Sequence, residues 1–274
     1  MKNLEGKVAA ITGASSGIGQ ELAIQLAAEG CNLALCDLNE AGLEATVARC
    51  QGVRVSRHGV DVSKREQVAR FAQEALEQHG GVDLIINNAG ITSRGTIEEH
   101  SYEQLEAVIG VDLWGVIYGV KEFLPLLRQR PEGHIVNISS INAAMPFPRN
   151  GPYNISKYGV AGLSDTLIQE LAGSNIEVTC VHPGGIKTGL LENSGFDSQF
   201  VADFERIAMT TSAQAASAII KGIKRNKKRL IVGADAKFLF AFKRLMPMTA
   251  VQVFGRMTDR AEAQIEKRAQ KNGA

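Results

Sequence analysis

The 274-residue sequence predicts one α/β domain, a doubly wound parallel sheet with helices on both of its faces. Short apolar runs alternate along the chain with helical apolar patterns, which is the order expected of strand-helix-strand units. The first apolar run leads through a glycine-rich turn into a helical pattern. A ligand site is therefore expected across the carboxyl ends of about seven parallel strands.

Seven apolar runs bounded by turn residues are the expected strands. Besides the run before Gly13, they are residues 32–37, 53–56, 83–87, 134–139, 177–181 and 229–233. Helical patterns occupy the gaps, at residues 20–30, 40–50, 64–79, 101–128 and 153–172. The chain is long enough for one large α/β core, and its length does not require two domains.

Composition excludes several classes of function. The net charge of +1 provides no field for nucleic acid, and the basic cluster at residues 221–229 is expected to be a solvated helix end. The four cysteines lack metal-ligand spacing, so no metal site is expected, and a reducing cytosol suits them. Residues 1–6 are too short and polar for a signal peptide, and no apolar run reaches membrane-spanning length. A cytoplasmic protein is expected.

The turn after the first strand has three glycines, Gly13, Gly17 and Gly19, with Ser15, Ser16 and Ile18 among them. Glycine lets the backbone approach a ligand where a Cβ would collide, and the free N–H groups at a helix start form an anion site. A diphosphate group suits such a site. The spacing differs from the usual dinucleotide fingerprint, so a turn that merely joins strand to helix stays open at this point.

Asp37 stands at the carboxyl end of the second expected strand. A carboxylate there accepts hydrogen bonds from both adenosine ribose hydroxyls and repels a 2′-phosphate. No Lys or Arg adjoins Gly17 or directly follows Asp37 to neutralise such a phosphate, so NAD is favoured over NADP. Asp37 or Asn39 also suits the N-cap of the next helix, which is compatible with that role.

Tyr153 and Lys157 lie four residues apart, so a helix after Pro152 places both side chains on one face, one turn apart. A tyrosine hydroxyl has an ordinary pKa of about 10 and transfers protons poorly at neutral pH. Lys157 is expected to lower the pKa of Tyr153 by stabilising the phenolate. Ser140 lies upstream, at the end of an expected strand. By itself, the Tyr-Lys pair also fits an amphipathic helix with a solvated lysine.

Read together, these segments resemble the short-chain dehydrogenase/reductase family over about residues 7–233. Four segments carry the resemblance in the family's order: the cofactor turn at residues 12–19, the central-strand motif at residues 87–90, the catalytic Ser140, Tyr153 and Lys157, and a proline-glycine turn at residues 183–188. The resemblance implies a Rossmann-type fold and an NAD(P)-dependent oxidoreductase acting on CH–OH groups. It also implies a homotetramer or homodimer that associates through the helices at residues 101–128 and 153–172.

The resemblance further implies contacts within the cofactor site. Asp61 is implied to hydrogen-bond the adenine amino group, with Val62 beside it, although a turn-capping aspartate is an equal alternative. Thr188 and the backbone of Ile186 are implied to reach the cofactor carboxamide. The remaining implied contacts are Asn88, Ala89, Gly90, Pro183 and Gly184.

Asp112 departs from the family pattern, which usually has an asparagine in the helix before the serine strand. In relatives, this asparagine kinks the helix and its carbonyl holds a water bound to the lysine. Asp112 still offers acceptors, and in its ionised form it would stabilise the Lys157 ammonium but oppose phenolate formation at Tyr153. Retained activity with a shifted pH optimum is expected, and an ordinary polar helix residue is the alternative.

The predicted function is hydride transfer between a nicotinamide cofactor and a small alcohol or carbonyl compound. Ser140 is expected to hydrogen-bond the substrate oxygen, Tyr153 to exchange its proton, and Lys157 to bind the nicotinamide ribose. A different class of function is an NAD-binding sensor or scaffold without turnover. Asp112 and the C-terminal segment motivate this alternative, and the intact Ser140, Tyr153 and Lys157 argue against it.

Residues 1–235 are expected to form the dinucleotide-binding and catalytic domain. Within it, the polar residues 189–212 are expected to form a loop that closes over an uncharged substrate, with four apolar side chains, Phe196, Phe200, Phe204 and Met209. Residues 236–274 extend beyond the family core and are expected to be helical. Their apolar side chains are expected to pack on the body or on another subunit, and contact with a membrane surface is the less favoured alternative.

Overall fold

A computed structural model of the protein describes residues 1–191, 194, 198, 201–202, 206 and 208–258. The strands of its main sheet are β1 (Val8–Thr12), β2 (Asn32–Asp37), β3 (Val55–Gly59), β4 (Leu84–Asn87), β5 (Gly133–Ile138), β6 (Ile176–Pro183) and β9 (Arg229–Val232). They lie in the order β3-β2-β1-β4-β5-β6-β9, and every neighbouring pair is parallel. A separate pair consists of β7 (Ile186–Lys187) and β8 (Thr210–Thr211). The predicted fold class is confirmed.

Helices cover both faces of this sheet because side chains alternate between faces along each strand. Ala9 and Ile11 of β1 belong to one buried apolar cluster, whereas Val8 and Ala10 belong to the other. Up to residue 246, the described α-helices are α1 (Gly17–Ala28), α2 (Glu40–Arg49), α3 (Arg65–His79), α4 (Tyr102–Ile109), α5 (Gly115–Arg128), α6 (Gly151–Glu170), α7 (Ser212–Lys224) and α8 (Ala234–Leu245). Helices α1 and α7 pack on the first face, and α3 and α5 pack on the second.

The expected helix at residues 101–128 is divided by a π-helical turn, Gly110–Trp114. Asp112 lies in this turn and its side chain is fully buried. Such a turn inserts one residue into the helical ladder and re-aims the side chains within it. The departure from a regular helix therefore coincides with the residue at which the sequence departs from the family pattern.

Two helical segments follow β9 at the C-terminal end of the described chain, α8 and residues 247–258. The ring of Phe240 packs edge-on against His182 with centroids 5.7 Å apart, and Phe254 packs likewise against Phe147 at 4.8 Å. Both contacts join this extension to the body of the domain. Phe238 and Leu245 instead remain exposed.

Among the described residues, no helix is long and apolar enough to cross a membrane. Part of the expected closing loop, including Phe196, Phe200 and Phe204, lies outside the described residues, as do residues 259–274 of the extension. Met209 is described and is exposed.

Candidate active site

The glycine turn between β1 and α1 has no room for a side chain at Gly13 or Gly19. Gly13 has φ +66°, and a Cβ on it would lie 2.7 Å from the Cα of Ala89. A Cβ on Gly19 would overlap the carbonyl oxygen of Gly13. The Asn88 amide donates hydrogen bonds of 3.0 Å to the carbonyl oxygens of Thr12 and Gly13, which fixes the turn against the end of β4. The cradle is thus rigid and open to a ligand on its outer side.

A cleft of about 400 Å³ lies along the carboxyl ends of the strands. The predicted cofactor residues that line it are Gly13, Ser15, Ser16, Gly17, Ile18, Asp37, Asp61, Val62, Asn88, Ala89, Gly90 and Thr188. Gly19 lies behind the turn in α1 and supports it. Pro183, Gly184 and Ile186 are near the end of β6 but do not line this cleft. There the Gly185 N–H donates to the Asp235 carboxylate at 2.7 Å.

Asp37 reaches the cleft from the end of β2. Its carboxylate accepts hydrogen bonds from the backbone N–H groups of Ser15, at 3.0 Å, and Asn39, at 2.9 Å. The N-cap of α2 is Asn39, whose side chain accepts from the Gly42 N–H. Asp37 therefore connects the glycine turn to the second strand, and Asn39 caps α2.

Asp61 makes the turn-capping contact that the sequence left open as one alternative, and it also lines the cleft. One carboxylate oxygen accepts from both the backbone N–H and the hydroxyl of Ser63, at 2.9 and 2.7 Å, which closes the turn after β3. The residue also lines the cleft together with Val62. The turn-capping contact is present in the structure, and the adenine contact stays a prediction.

The residues of the predicted catalytic cluster lie together at the end of β5. The Lys157 ammonium lies 3.0 Å from Oδ2 of Asp112 and donates to the carbonyl of Ile138 at 3.2 Å. The other Asp112 oxygen accepts from the Ile91 N–H at 2.7 Å. The ammonium also lies 5.2 Å from the centre of the Tyr153 ring, so these two side chains share one face of α6 as predicted.

The pKa of Tyr153 differs from the sequence-based expectation. Burial raises the pKa of Tyr153; the Lys157 ammonium lowers it, the Asp112 carboxylate raises it, and a hydrogen bond with Ser140 lowers it. The direction of the lysine's effect was predicted correctly, but burial outweighs it, so the pKa of Tyr153 lies above its usual value. Burial wins because the phenolate loses its hydration when enclosed.

Asp112 and Lys157 form a coupled pair in the buried interior. Burial opposes the charge on Lys157, but the Asp112 carboxylate reverses this effect, so the pKa of Lys157 is raised. Burial also raises the pKa of Asp112, against the opposing influence of the ammonium. The lysine is therefore held in its charged form by a carboxylate that is itself poorly hydrated.

Sequence reasoning missed the residues that surround Ser140. The Ser140 hydroxyl lies 3.2 Å from Oδ1 of Asn142 and accepts from the Asn142 backbone N–H at 3.1 Å. The His182 ring is buried, and its Nδ1 atom lies 3.1 Å from the carbonyl oxygen of Ser140. Neither residue belongs to a spacing motif in the sequence, and the only local signal was that Asn142 follows Ser140 by two positions.

The doubly wound sheet, the glycine cradle and the buried Ser-Tyr-Lys cluster together define a class of nucleotide-binding oxidoreductases. Within that class, the chain belongs to the short chain dehydrogenase family, whose sequence pattern matches residues 7–198. The described residues contain no cluster of His, Cys, Asp or Glu that could hold a metal ion.

The chain is similar to curated and solved members of this family. It is 40% identical over 256 residues to the putative oxidoreductase SadH of Mycobacterium tuberculosis, covering 90% of this chain and 93% of SadH. A Burkholderia phymatum short chain dehydrogenase/reductase, solved with NAD, has a TM-score of 0.80 and 31% identity, covering 84% of this chain and 90% of that one. An alcohol dehydrogenase from Thermococcus sibiricus, solved with 5-hydroxy-NADP, has a TM-score of 0.74 and 30% identity, covering 82% and 95%.

Proposed function

We propose that the protein transfers a hydride between nicotinamide C4 of NAD and the carbon of a small secondary alcohol or ketone. The observation that carries this proposal is the buried cluster of Tyr153, Lys157 and Ser140. These three residues do not themselves line the cleft that begins at the glycine cradle, but they adjoin it, because Lys157 donates to the carbonyl of Ile138, which lines the cleft. The cradle suits a dinucleotide because the backbone N–H groups at the start of α1 favour a diphosphate. When bound, the nicotinamide supplies the hydride acceptor or donor.

The protein's own residues would handle the proton and the substrate oxygen. During oxidation, the Tyr153 phenolate accepts the alcohol proton, and during reduction the phenol returns a proton to the carbonyl oxygen. The Ser140 hydroxyl donates to the oxygen as negative charge develops on it. Lys157 binds the ribose hydroxyls and supplies the positive charge that opposes the effect of burial on Tyr153.

NAD is proposed over NADP because of the carboxylate at the end of β2. Asp37 lines the cleft and is already held by two backbone N–H groups, so its orientation is fixed before any ligand binds. A ribose diol satisfies its remaining acceptors, whereas a 2′-phosphate would face a like charge. Relatives solved with each type of cofactor are similar to this chain, so the distinction depends on this residue.

Substitution of the phenol tests the proposed mechanism. Tyr153→Phe is expected to lower turnover by at least about 100-fold, because it removes the group that exchanges the proton. The measurement is NADH production on any alcohol that the parent oxidises, found with a panel of secondary alcohols, steroids and acetoin-like compounds. Tyr102→Phe is the matched control, since that tyrosine is exposed at the start of α4. Near-parental turnover by Tyr153→Phe would defeat the assignment.

An NAD-binding sensor or scaffold is the second candidate function. The Asp112–Lys157 ion pair favours it, because the carboxylate opposes formation of the phenolate. The panel distinguishes the two candidates: NAD binding with no turnover on any compound supports the sensor, and NADH production supports the enzyme.

A homotetramer or homodimer formed through the long helices is also proposed. Large apolar side chains remain exposed on the π turn and α6, including Trp114, Ile155 and Tyr158. Exposed apolar residues grouped on neighbouring helices are typical of a subunit interface. Sedimentation of the full chain would measure the state directly, and a monomer at all concentrations would contradict it.

A further inference from the structure

A chain of side-chain amides connects a backbone carbonyl to the Ser140 hydroxyl. The Asn154 amide nitrogen donates to the carbonyl of Phe147 at 2.7 Å, and its oxygen accepts from the Asn142 amide nitrogen at 2.8 Å. The Asn142 amide oxygen then faces the Ser140 hydroxyl at 3.2 Å. Asn142 and Ser140 are both buried.

The backbone carbonyl of Phe147 fixes which group donates and which accepts in every hydrogen bond of this series. A backbone carbonyl only accepts, so Asn154 must present its NH₂ group to Phe147 and its oxygen to Asn142. Asn142 must then present its NH₂ group to Asn154, which leaves its oxygen toward Ser140. Because an amide oxygen only accepts, the Ser140 hydroxyl must be the donor in its contact with Asn142.

The hydrogen bond from Ser140 to Asn142 determines whether Ser140 can donate to Tyr153 or only accept from it. A serine hydroxyl has one proton and two acceptor positions. The proton goes to the Asn142 amide oxygen, and one acceptor position is occupied by the Asn142 backbone N–H. While Tyr153 is neutral, Ser140 therefore has only an acceptor position left for its phenol. The hydrogen bond that lowers the pKa of Tyr153 requires the Ser140 proton to turn from Asn142 to the phenolate.

We propose that Asn142 is a positioning residue whose amide oxygen accepts the Ser140 hydroxyl proton, so that Ser140 does not donate to Tyr153. When negative charge develops on the substrate oxygen, the Ser140 hydroxyl turns and donates to that oxygen instead. The inference rests on the proposed oxidoreductase function. A hydrogen bond to an ionised oxygen is about twice as strong as one between neutral groups. The Ser140 proton therefore leaves the amide oxygen for a developing alkoxide but stays with the amide while the substrate oxygen is neutral. Asn142 makes the serine's donation specific to the charged species.

The backbone of Ser140 is held separately from its hydroxyl. The Ser140 carbonyl can only accept, so Nδ1 of His182 must carry the proton that it donates. Burial lowers the pKa of His182, which keeps this ring neutral and its single Nδ1 proton in place. The backbone contact does not involve Asn142, so a substitution at Asn142 releases the hydroxyl while the main chain stays anchored.

A double-substitution cycle tests whether Asn142 acts through Ser140. Asn142→Leu keeps the branched shape of the side chain and removes the acceptor. It is expected to lower kcat by about 10-fold to 100-fold, the range known for the outer hydrogen-bonding partners of metal ligands. KM for NAD is expected to be unchanged. In the Ser140→Ala background, the same substitution is expected to change kcat by less than about 2-fold, because the group it acts on is gone. Asn3→Leu, an exposed position near the N-terminus, is the matched control.

A second measurement does not require turnover. The protein has four tyrosines, so the ring-carbon NMR resonance of Tyr153 can be assigned with Tyr153→Phe. In Asn142→Leu the freed Ser140 proton stabilises the phenolate, and the titration midpoint of Tyr153 is expected to move to lower pH. In the Ser140→Ala background, Asn142→Leu is expected to leave the midpoint unchanged. Asp112 and Lys157 are present in every variant, so their influence on Tyr153 cancels in these comparisons.

The outcomes separate this inference from the proposed function. Turnover by the parent with additive effects of the two substitutions, or an unchanged or raised Tyr153 midpoint in Asn142→Leu, would overturn the role of Asn142. Absence of turnover by the parent defeats the proposed function, while the NMR cycle still decides the direction of the Ser140 hydrogen bond. Circular dichroism checks folding, and Asn142→Ala, with the same expected results, replaces the leucine variant if that variant does not fold.

Discussion

Asp112 places a negative charge in this site at the position where the family usually has the neutral amide of asparagine. It is fully buried, 3.0 Å from the Lys157 ammonium, and its second oxygen accepts from the Ile91 N–H. It raises the pKa of Lys157 and also acts to raise the pKa of Tyr153. The ion pair therefore keeps the lysine charged while partly cancelling the effect of that charge on the phenol.

Asp112→Asn is expected to move the pH profile of alcohol oxidation to lower pH. Asparagine keeps an acceptor for the Ile91 N–H but removes the negative charge that opposes the phenolate, so the pKa of Tyr153 falls. The measurement is kcat/KM for oxidation as a function of pH, beside the parent. Glu106→Gln removes the same charge from the exposed surface of α4 and should leave the profile unchanged. Superimposable profiles for parent and Asp112→Asn would remove any special role for the carboxylate.

Asp37→Asn is expected to weaken discrimination against NADP. The substitution removes the charge that repels a 2′-phosphate, so the ratio of the NADPH and NADH dissociation constants is expected to fall by about 10-fold or more. Fluorescence titration with each reduced cofactor measures the ratio. Glu44→Gln, an exposed carboxylate on α2, is the control. A ratio that stays at the parental value would mean that another part of the cleft selects the cofactor.

At the level of elements, local patterns predicted most of the sheet. The run at residues 32–37 became β2 with the same bounds, because a buried parallel strand needs a continuous apolar sequence. Apolar periodicity does not show the π turn at Gly110–Trp114, and the only signal for it was the family resemblance, because the asparagine that Asp112 replaces kinks the helix in relatives. The two-residue strands β7 and β8 are too short to show any periodicity. These elements depend on tertiary contacts, which a local pattern does not record.

The candidate site divides in the same way. Tyr153 and Lys157 could be predicted because both lie on one helix, where a spacing of four fixes their relation. Asn142 could not be predicted, because its role requires the Asn154 and Phe147 groups that the fold brings to it. The basic cluster at residues 221–229 is largely exposed, in line with the expected solvated helix end, and Lys224, Lys228 and Arg229 each also pair with a carboxylate.

Two glycine-to-alanine substitutions are expected to have opposite effects on stability. In the cradle, an alanine Cβ at position 19 would overlap the Gly13 carbonyl, so Gly19→Ala is expected to destabilise the fold by about 1–3 kcal/mol and to weaken NAD binding. Gly162 lies exposed within α6, and a Cβ added there would meet no heavy atom within 4 Å, so Gly162→Ala is expected to stabilise by about 0.5–1 kcal/mol.

Urea unfolding of both glycine variants measures the two free energies, and NADH fluorescence measures the binding. The pair separates steric overlap from conformational entropy, since both positions gain the same methyl group. Parental stability and NAD affinity in Gly19→Ala would show that the cradle adjusts, and its rigidity would then no longer support the proposed diphosphate site.

At the scale of the whole molecule, buried histidines couple stability to pH. His134 lies on β5 with its side chain fully buried. Thr179 donates its hydroxyl proton to the Lys227 carbonyl, so Nε2 of His134 must be the donor in its 2.8 Å contact with that hydroxyl. Nδ1 has no hydrogen-bond partner among the described residues, and burial, followed by the N-terminal ammonium and Lys228, lowers the pKa of His134 to about 3. Burial also lowers the pKa of His79 and of His182.

The free energy of unfolding is therefore expected to fall as the pH decreases. A histidine with a folded-state pKa of about 3 and an unfolded-state pKa of about 6.5 contributes its full stabilisation above the higher value. That contribution is lost as the pH falls toward the lower value, at about 1.4 kcal/mol per pH unit for each histidine, because only the unfolded chain binds the proton. His134→Gln is expected to reduce the slope between about pH 6 and pH 4 by about one proton.

Urea unfolding at a series of pH values measures these slopes, and the region above about pH 7 is an internal control because histidine is neutral there in both states. Parent and His134→Gln should have equal slopes in that region even if their absolute stabilities differ. Equal slopes below about pH 6 as well would mean that His134 takes up its proton in the folded state. Water would then have to reach His134 at the amino-terminal ends of the paired strands β5 and β6 when the folded protein is in acid.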